Sequence, residues 1–225
     1  AGMFASTAIL AALRARDITG EGQYVDLSLL ETQVALLTNV ASNYLVGGQG
    51  HRRLGNSHPN ITPYEAFPAR DRWFALAAAN ERQWSILCDV IQHPDLQTDA
   101  RFADNNARVA NRAELRGILE EVFKARDAVN WLDEFRAAGL PCGPINSIPE
   151  VFDHPQAEAR GLAIEAEHPT AGQISFSGFP YSFSETPATV RLPPPMLGQH
   201  TAEVLVSLLG YSEQDVTALR GAGAI

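Results

Sequence analysis

Apolar residues recur three and four positions apart in the first 17 residues, which is the pattern of an amphipathic helix. One face of this helix collects Phe4, Ala8, Ala11, Ala12 and Ala15. Arginines stand in its last turn, where cations suit the negative end of a helix dipole. No Ser, Thr, Asp or Asn precedes the pattern as a cap. The chain is therefore expected to begin inside an element, with further sequence upstream.

A short strand and a second helix are predicted next. Residues Thr19 to Gly22 form a turn, and Tyr24 to Leu29 alternate in polarity, as a strand does. An apolar run from Leu30 to Val46 predicts one long helix. A helix, a tight turn and a strand make half of a βαβ unit. The strand needs a neighbour, which a missing N-terminal part is expected to supply.

A hairpin and helices are predicted in the middle of the chain. Tyr64–Phe67 and Trp73–Ala77 are rich in aromatic and apolar residues and flank a polar turn. Asn80 is a good cap for a helix that runs to about Ile91. Further helices are expected to open at Asn111 and Asp127. This part of the chain is therefore mixed α and β.

The last third is predicted to alternate short elements with extended chain. Residues 140–148 are constrained by two prolines and a glycine, and residues 179–195 are aromatic, rich in proline and extended. The predicted helices and strands here are helices 149–152 and 155–160, strands 162–167 and 173–177, and a helical hairpin of 199–209 and 212–220.

A loop rich in Gly, Asn, Ser and Pro lies between the predicted helix that ends at Val46 and the predicted hairpin that begins at Tyr64. It carries His51, Arg52, Arg53 and His58 close to three glycines. Such a loop can approach a phosphate, a carboxylate or a thioester oxyanion with backbone N–H groups and cations. A solvated linker is the competing interpretation, and the residues alone leave both open.

Composition narrows the function classes. The chain has 225 residues, a hydrophobic content of 45% and a formal net charge of −9. A sequence pI near 5.1 argues against a nucleic-acid-binding protein, which needs a basic face. No apolar run reaches membrane-spanning length. With only two cysteines there is no disulfide framework, so a reducing cytoplasm is expected.

Familiar catalytic and metal-binding motifs are absent from the sequence. There is no phosphate-binding G-x-x-x-x-G-K-[ST], no G-x-S-x-G elbow and no H-E-x-x-H pair. The histidines are scattered, and His154 and His168 are expected in turns before proline. Cys142 fits a small packing residue better than a nucleophile, because no neighbour in sequence would lower its pKa. No metal site is predicted.

Four motifs, in this order along nearly the whole chain, resemble the class III CoA-transferase family, which includes formyl-CoA and carnitine CoA-transferases and α-methylacyl-CoA racemases. They are Ile9-Leu10-Ala11-Ala12-Leu13 with Thr19–Leu29; Arg53-Leu54-Gly55-Asn56 with His58-Pro59 and Pro63-Tyr64; Pro141-Cys142-Gly143-Pro144-Ile145; and Leu197-Gly198-Gln199-His200-Thr201. The resemblance identifies the chain with the C-terminal portion of such an enzyme.

The resemblance implies an α/β fold. Residues 1–45 would be the C-terminal part of a Rossmann-like large domain, 46–63 a linker or lid loop, and 64–185 a small α+β domain. Residues 186–225 would return to the large domain. Members of the family form interlocked dimers, so a homodimer is expected.

The resemblance also implies a reaction. A carboxylate attacks the acyl-CoA thioester to form a mixed anhydride, CoA thiolate then forms an enzyme–CoA thioester, and an acceptor acid takes up the CoA. The family's nucleophilic Asp lies just ahead of the Gly-Met that matches Gly2-Met3, upstream of Ala1. No catalytic residue is therefore assigned within the chain. CoA enters as a thioester substrate, and no bound cofactor is expected.

Contacts to CoA are carried over at four positions. Leu29 matches a position near the bound CoA, and Asn56-Ser57-His58 matches the glycine-rich lid of formyl-CoA transferases. This sequence lacks that run of glycines, so lid behaviour at these positions is an open question. A turn role before Pro59 is the competing interpretation of His58.

Two other functions stay open at this point. The same fold supports racemisation next to an acyl-CoA carbonyl, which needs an upstream acid/base pair. A non-catalytic module that only associates with a partner is the third possibility. Fold-level analogy does not choose between transferase and racemase.

Overall fold

The computed structural model describes residues 1–48, 50 and 53–225, which form two compact units, 1–145 and 146–225. The described residues are a mixture of α-helices and small antiparallel sheets, so the expectation of a mixed α and β fold is confirmed. His51 and Arg52 of the predicted basic loop lie outside the described residues.

The first predicted helix is confirmed as α1, Gly2–Thr19. It ends where Gly20 adopts the left-handed conformation, with φ of 79°, and donates its N–H to the carbonyl of Arg16 at 2.8 Å. No residue of α1 is fully buried. Its apolar side chains, including Met3 at 81% exposed, therefore lie largely at the surface of this unit.

The predicted strand at Tyr24–Leu29 is wrong. Residues 21–28 have no regular structure, and the side chain of Tyr24 is 90% exposed. A strand is held by hydrogen bonds to a neighbour, and no strand among the described residues pairs with this segment. Instead Ser28 opens helix α2, Leu29–Ala35, through a capping box with Glu31.

The single long helix predicted over Leu30 to Val46 is also wrong. The chain forms α2 and then a separate helix α3, Thr38–Leu45. Thr38, the first residue of α3, has a φ of 44°, a left-handed conformation through which a right-handed helix cannot continue from α2. The helical hydrogen-bond ladder is therefore interrupted where apolar periodicity alone predicted continuity.

The predicted hairpin is confirmed and gains a third strand. Strands β1, Tyr64–Pro68, and β2, Trp73–Ala77, pair antiparallel, with Tyr64 opposite Ala77. Strand β3, Cys142–Pro144, pairs with β2 in the order β1-β2-β3. The segment 140–148 gave no strand signal because its three paired residues are Cys, Gly and Pro.

Helices cover one face of this sheet and form the main core. They are α4 Glu81–Val90, α5 Asp95–Thr98, α6 Asn105–Ala110, α7 Arg112–Phe123 and α8 Ala128–Ala137. Phe67 and Phe74 of the sheet meet Phe123 edge-to-face at 5.2 Å, and Phe123 meets Trp131 at 5.6 Å. Such edge-to-face pairs stabilise a core beyond the area that they bury. Asn80 caps α4 as predicted, by accepting a hydrogen bond from the backbone N–H of Gln83 at 2.9 Å.

Unit 146–225 contains the predicted short elements. They are helices α9 Ile148–Phe152 and α10 Pro155–Ala159, strands β4 Ala163–His168 and β5 Gly172–Ser177, and helices α11 Thr201–Ser207 and α12 Glu213–Gly221. The two strands form a separate antiparallel hairpin. Among the described residues, no helix has both the length and the apolar character that crossing a membrane requires.

Candidate functional site

An open cavity of about 380 Å³ lies on the face of the β1-β2-β3 sheet that the helices leave uncovered. Side chains alternate between the two faces of a strand. Phe67, Phe74 and Leu76 face the core, so their neighbours in sequence face the cavity. Residues that line the cavity include Asn56, Tyr64, Ala66, Ala75, Ala77, Pro141 and Ile145.

The floor of the cavity is made of small side chains. Ala66 and Ala75 lie opposite each other in the β1-β2 register, and Ala77 lies opposite Tyr64. Ala75 is exposed, whereas Ala66 and Ala77 are buried. An apolar floor with few polar groups at its edge is typical of a site for a small organic ligand.

Asn56 brings the loop ahead of β1 to the edge of the cavity. Its side-chain Oδ1 accepts a hydrogen bond from the backbone N–H of Ala66 at 3.1 Å. The neighbouring Ser57 donates its hydroxyl to Oε2 of Glu65 at 2.7 Å. The loop is thus joined to β1 at two successive residues.

His58 packs against the cavity wall rather than lying free in solvent. Its ring stacks on Tyr64, with ring centroids 5.2 Å apart and an interplanar angle of 13°. Its backbone N–H donates to the carbonyl of Tyr64 at 2.9 Å. Its Nδ1 accepts from the N–H of Asn60 at 3.1 Å, a local bond typical of a turn before proline.

Three arginines at intervals of four residues face this loop from α6 and α7. We call Arg108, Arg112 and Arg116 the arginine row. The Nε of Arg108 donates to the carbonyl of Thr62 at 2.9 Å, and Arg116 forms an ion pair with Glu65. Residues four apart lie on one side of a helix, which places Arg112 and Arg116 together on α7, while Arg108 comes from the preceding helix α6.

Arg112, in the middle of the row, binds backbone rather than a carboxylate. Its Nη2 donates to the carbonyls of His58 at 2.7 Å and Pro59 at 3.1 Å. Burial lowers the pKa of its guanidinium, and the nearby Glu65 opposes that change. Its Nη1 is buried and has no hydrogen-bond partner among the described residues.

Glu65 is an acid on the core side of the sheet. It is 4% exposed and accepts hydrogen bonds from Ser57 and Arg116 on the same oxygen, Oε2. Its other oxygen, Oε1, is buried without a partner among the described residues. A buried carboxylate is stable only when paired, which makes Glu65 depend on the loop and on the arginine row together.

The two cysteines are not activated nucleophiles. Burial raises the pKa of the Cys88 thiol to about 12 and also raises the pKa of the half-buried Cys142. Cys142 lies opposite Leu76 in the β2-β3 register and packs against the core, with its Sγ 3.8 Å from the carbonyl of Leu132. The packing role predicted for Cys142 is confirmed.

The histidines predicted in turns have local structural roles. Nδ1 of His154 accepts from the N–H of Gln156 at 3.1 Å and caps α10. Nδ1 of His168 accepts from the N–H of Ala171 at 3.1 Å in the β4-β5 turn. Within the described part of the chain, no group of three or more His, Cys, Asp or Glu side chains is arranged to hold a metal ion.

The four residues carried over as CoA contacts fall in two places. Asn56, Ser57 and His58 lie together at the edge of the cavity, and Asn56 lines it. Leu29 is the first residue of α2 and is 72% exposed. Arg53 of the predicted basic loop is exposed. Sequence reasoning missed the arginine row, although the spacing of Arg108, Arg112 and Arg116 was a readable signal.

Comparison with known proteins agrees with the motifs. The sequence model described as CoA-transferase family III matches residues 1–201. The chain is 40% identical over 224 residues to succinyl-CoA:glutarate CoA-transferase of Mus musculus, covering 100% of this chain and 51% of that protein. It is 40% identical to succinate–glutarate CoA-transferase of Agrobacterium fabrum, covering 92% of this chain and 52% of that protein.

A solved structure has the same fold. A CAIB/BAIF family protein from Brucella suis superimposes with a TM-score of 0.75 at 37% sequence identity, over 92% of this chain and 53% of that one. The chain thus spans about half the length of the curated relatives and the solved structure that it matches.

Proposed function

Since the chain belongs to CoA-transferase family III, we propose that the complete gene product transfers CoA from an acyl-CoA to a carboxylic acid. The observation that carries this proposal is 40% identity, over the full chain, to an enzyme named for such a transfer. In this proposal the chain supplies the small domain and part of the large domain of the complete gene product. We also propose that the protein works in a reducing cytoplasm.

The sheet cavity is proposed as the place where part of the acyl-CoA lies. Its alanine floor accepts an apolar chain, and Asn56 and Tyr64 supply polar groups at its edge. Ser57 and His58 stand beside Asn56, and Leu29 is exposed at the start of α2. We assign contacts to CoA to these loop residues and to Leu29.

The proposed reaction proceeds by covalent catalysis. An Asp carboxylate upstream of Ala1 attacks the thioester carbonyl, CoA thiolate leaves, and an acyl–aspartyl anhydride forms. The thiolate attacks the aspartyl carbonyl and releases the first carboxylate, which leaves an enzyme–CoA thioester. The acceptor carboxylate attacks that thioester and expels CoA thiolate, which gives a second anhydride. The thiolate then attacks the acceptor's acyl carbonyl, forms the product acyl-CoA and releases the Asp carboxylate. A series of easier steps replaces a single difficult one.

Dicarboxylic acids are the proposed substrate class. Both reported relatives, at 40% identity, are named for succinate and glutarate, which are dicarboxylic acids. A second carboxylate needs a cation or several N–H donors near it. Arg53 is exposed at the start of the loop that carries Asn56 and is the described residue that we assign to this contact.

The uncovered apolar surface of α1–α3 fits a part of a larger assembly. Met3, Leu10, Leu30 and Leu45 are each at least 66% exposed, and large exposed apolar patches mark interaction sites. We propose that the rest of a Rossmann-like large domain covers this surface, with 1–45 and 186–225 in that domain, 46–63 as linker and 64–185 as the small domain. The assembly is proposed to be a homodimer.

The test uses the complete gene product and succinyl-CoA. Intact-mass spectrometry before and after incubation is expected to show a covalent adduct of an acyl group or of CoA. Peptide mapping is expected to place this adduct on a carboxylate upstream of Ala1. Addition of glutarate is expected to discharge the adduct and to produce glutaryl-CoA.

Two results would contradict the transferase. Exchange of the α-hydrogen of an acyl-CoA in heavy water, without CoA transfer, would indicate a racemase on the same fold. A native protein near 24.4 kDa that forms no adduct would show that this polypeptide by itself is not a transferase, and would favour a non-catalytic module or a separate N-terminal partner chain.

A further inference from the structure

We propose that Arg112 is a positioning residue that holds the backbone at His58 and Pro59, and through them the loop side of the sheet cavity. The inference rests on the proposed function only where it predicts an effect on the binding of acyl-CoA. The claim that Arg112 holds the backbone of the loop can be tested without a ligand.

The hydrogen bonds of Arg112 distinguish it from the other members of the arginine row. Arg108 forms a bidentate ion pair with Glu81, and Arg116 forms ion pairs with Glu65 and Glu120. Among the described residues, Arg112 forms no ion pair. It directs a half-buried cation at two successive carbonyls instead, at 2.7 and 3.1 Å.

Because two successive carbonyls are both held by hydrogen bonds, the backbone between them has little freedom. Hydrogen bonds from a charged donor are about twice as strong as neutral ones. Arg112 and the bonded carbonyls are 54 and 53 residues apart in sequence. The contact therefore ties the loop to α7 rather than extending a local turn.

The loop carries this constraint to the cavity through His58. The His58 backbone N–H donates to Tyr64 at 2.9 Å, and its ring stacks on the Tyr64 ring. His58 is thus held on one side by Arg112 and on the other by a residue that lines the cavity. Asn56, two residues earlier, is bonded to Ala66 of the cavity floor. Loss of Arg112 is expected to free His58 and to loosen this wall.

The experiment compares three variants of the complete gene product. Arg112→Gln removes the cation, and Arg112→Lys retains a charged donor. Arg136→Gln is the matched control, because Arg136 is exposed and, among the described residues, forms an ion pair only with Asp133 on its own helix. Hydrogen–deuterium exchange is measured for backbone amides of residues 57–62, and KM and kcat are measured with succinyl-CoA.

Arg112→Gln is expected to raise exchange in residues 57–62 by about tenfold, because the charge-assisted hydrogen bonds to the carbonyls of His58 and Pro59 are lost, while α8 exchanges as in the wild type. KM for succinyl-CoA is expected to rise about fivefold with less effect on kcat, because a loosened wall weakens ground-state binding. Arg112→Lys is expected to lie between, and Arg136→Gln to match the wild type.

Unchanged exchange in residues 57–62 of Arg112→Gln would overturn the inference. Equal acceleration throughout α7 and α8 would also overturn it, because that pattern indicates a general loss of stability. Faster exchange with unaltered KM would show that the loop moves without consequence for the cavity, which contradicts the positioning role. A wild-type protein that does not use succinyl-CoA would refute the proposed substrate while exchange still decides the role of Arg112 in the loop.

Discussion

Arg108 and Glu81 form a bidentate ion pair in which only the arginine is fully buried. Its Nη1 and Nη2 donate to the two carboxylate oxygens of Glu81 at 2.9 and 2.8 Å. The Arg108 side chain is 0% exposed and the Glu81 side chain 57%. The guanidinium also lies 4.9 Å from the ring centroid of Trp84 and bonds the carbonyls of Thr62 and Phe102. One side chain thus joins α4, α6 and the segment ahead of β1.

Arg108→Met is expected to reduce the free energy of unfolding by about 3 kcal/mol, because it leaves the carbonyls of Thr62 and Phe102 buried without donors. Glu81→Gln is expected to cost about 1 kcal/mol, since solvent already screens the exposed carboxylate. Urea unfolding followed by tryptophan fluorescence measures both. The double variant should cost less than the sum of the two, and full additivity would contradict the coupling.

Acid pH is expected to weaken this contact. The hydrogen bond from Arg108 lowers the pKa of Glu81 below its ordinary value of 4.5. A carboxylate with a lowered folded pKa stabilises the protein above the unfolded value and loses that contribution as pH falls through the folded pKa. Stability should therefore decline as pH falls below about 4.5, and Glu81→Gln should flatten part of that decline. Thermal unfolding between pH 7 and pH 3 gives the comparison, and identical slopes for variant and wild type would exclude a contribution from Glu81.

Filling the cavity floor tests the proposed site directly. Ala75 is exposed at the floor and its side chain faces away from the core, so Ala75→Leu should leave stability within about 0.5 kcal/mol. It should weaken binding of succinyl-CoA about tenfold or more by occupying the space of the ligand. Titration calorimetry measures the affinity. Ala137→Leu, at an exposed position of α8, is the control, and equal affinity in both variants would show that the ligand does not lie on this floor.

The cysteines should react in a fixed order. Because burial raises the pKa of Cys142, alkylation by iodoacetamide should be slow at pH 7 and should increase about tenfold per pH unit up to pH 9. Cys88, with a pKa of about 12 and no exposed surface, should react only after unfolding. Peptide mass spectrometry measures both rates. Fast alkylation of Cys142 at pH 7 would instead indicate an activated thiolate.

Local patterns predicted those elements whose signals lie within a few residues. Helix α1, the β1-β2 hairpin and the Asn80 cap were predicted because apolar spacing, alternation and side-chain capping are short-range effects. The resemblance to class III CoA-transferases is confirmed by the family match. The contacts assigned to Leu29, Asn56, Ser57 and His58 stay a prediction.

Errors arose where a distant partner or a single backbone angle decided the outcome. The strand predicted at Tyr24–Leu29 has no pairing neighbour among the described residues, and apolar spacing does not reveal that. The break between α2 and α3 depends on the φ of Thr38, which the periodicity of the flanking residues does not report. Strand β3 exists because β2 offers a free edge to residues with little strand propensity.

The sequence by itself determined the family, the α/β class and most short elements, because these depend on ordered motifs and local spacing. The tertiary structure alone decided how the candidate site is assembled around Asn56, Ser57 and His58. Arg112 meets His58 across 54 residues, Arg116 meets Glu65 across 51, and Arg108 meets Thr62 across 46. Contacts at such separations form only when the sheet and helices pack, and packing brings the loop, the arginine row and the cavity together.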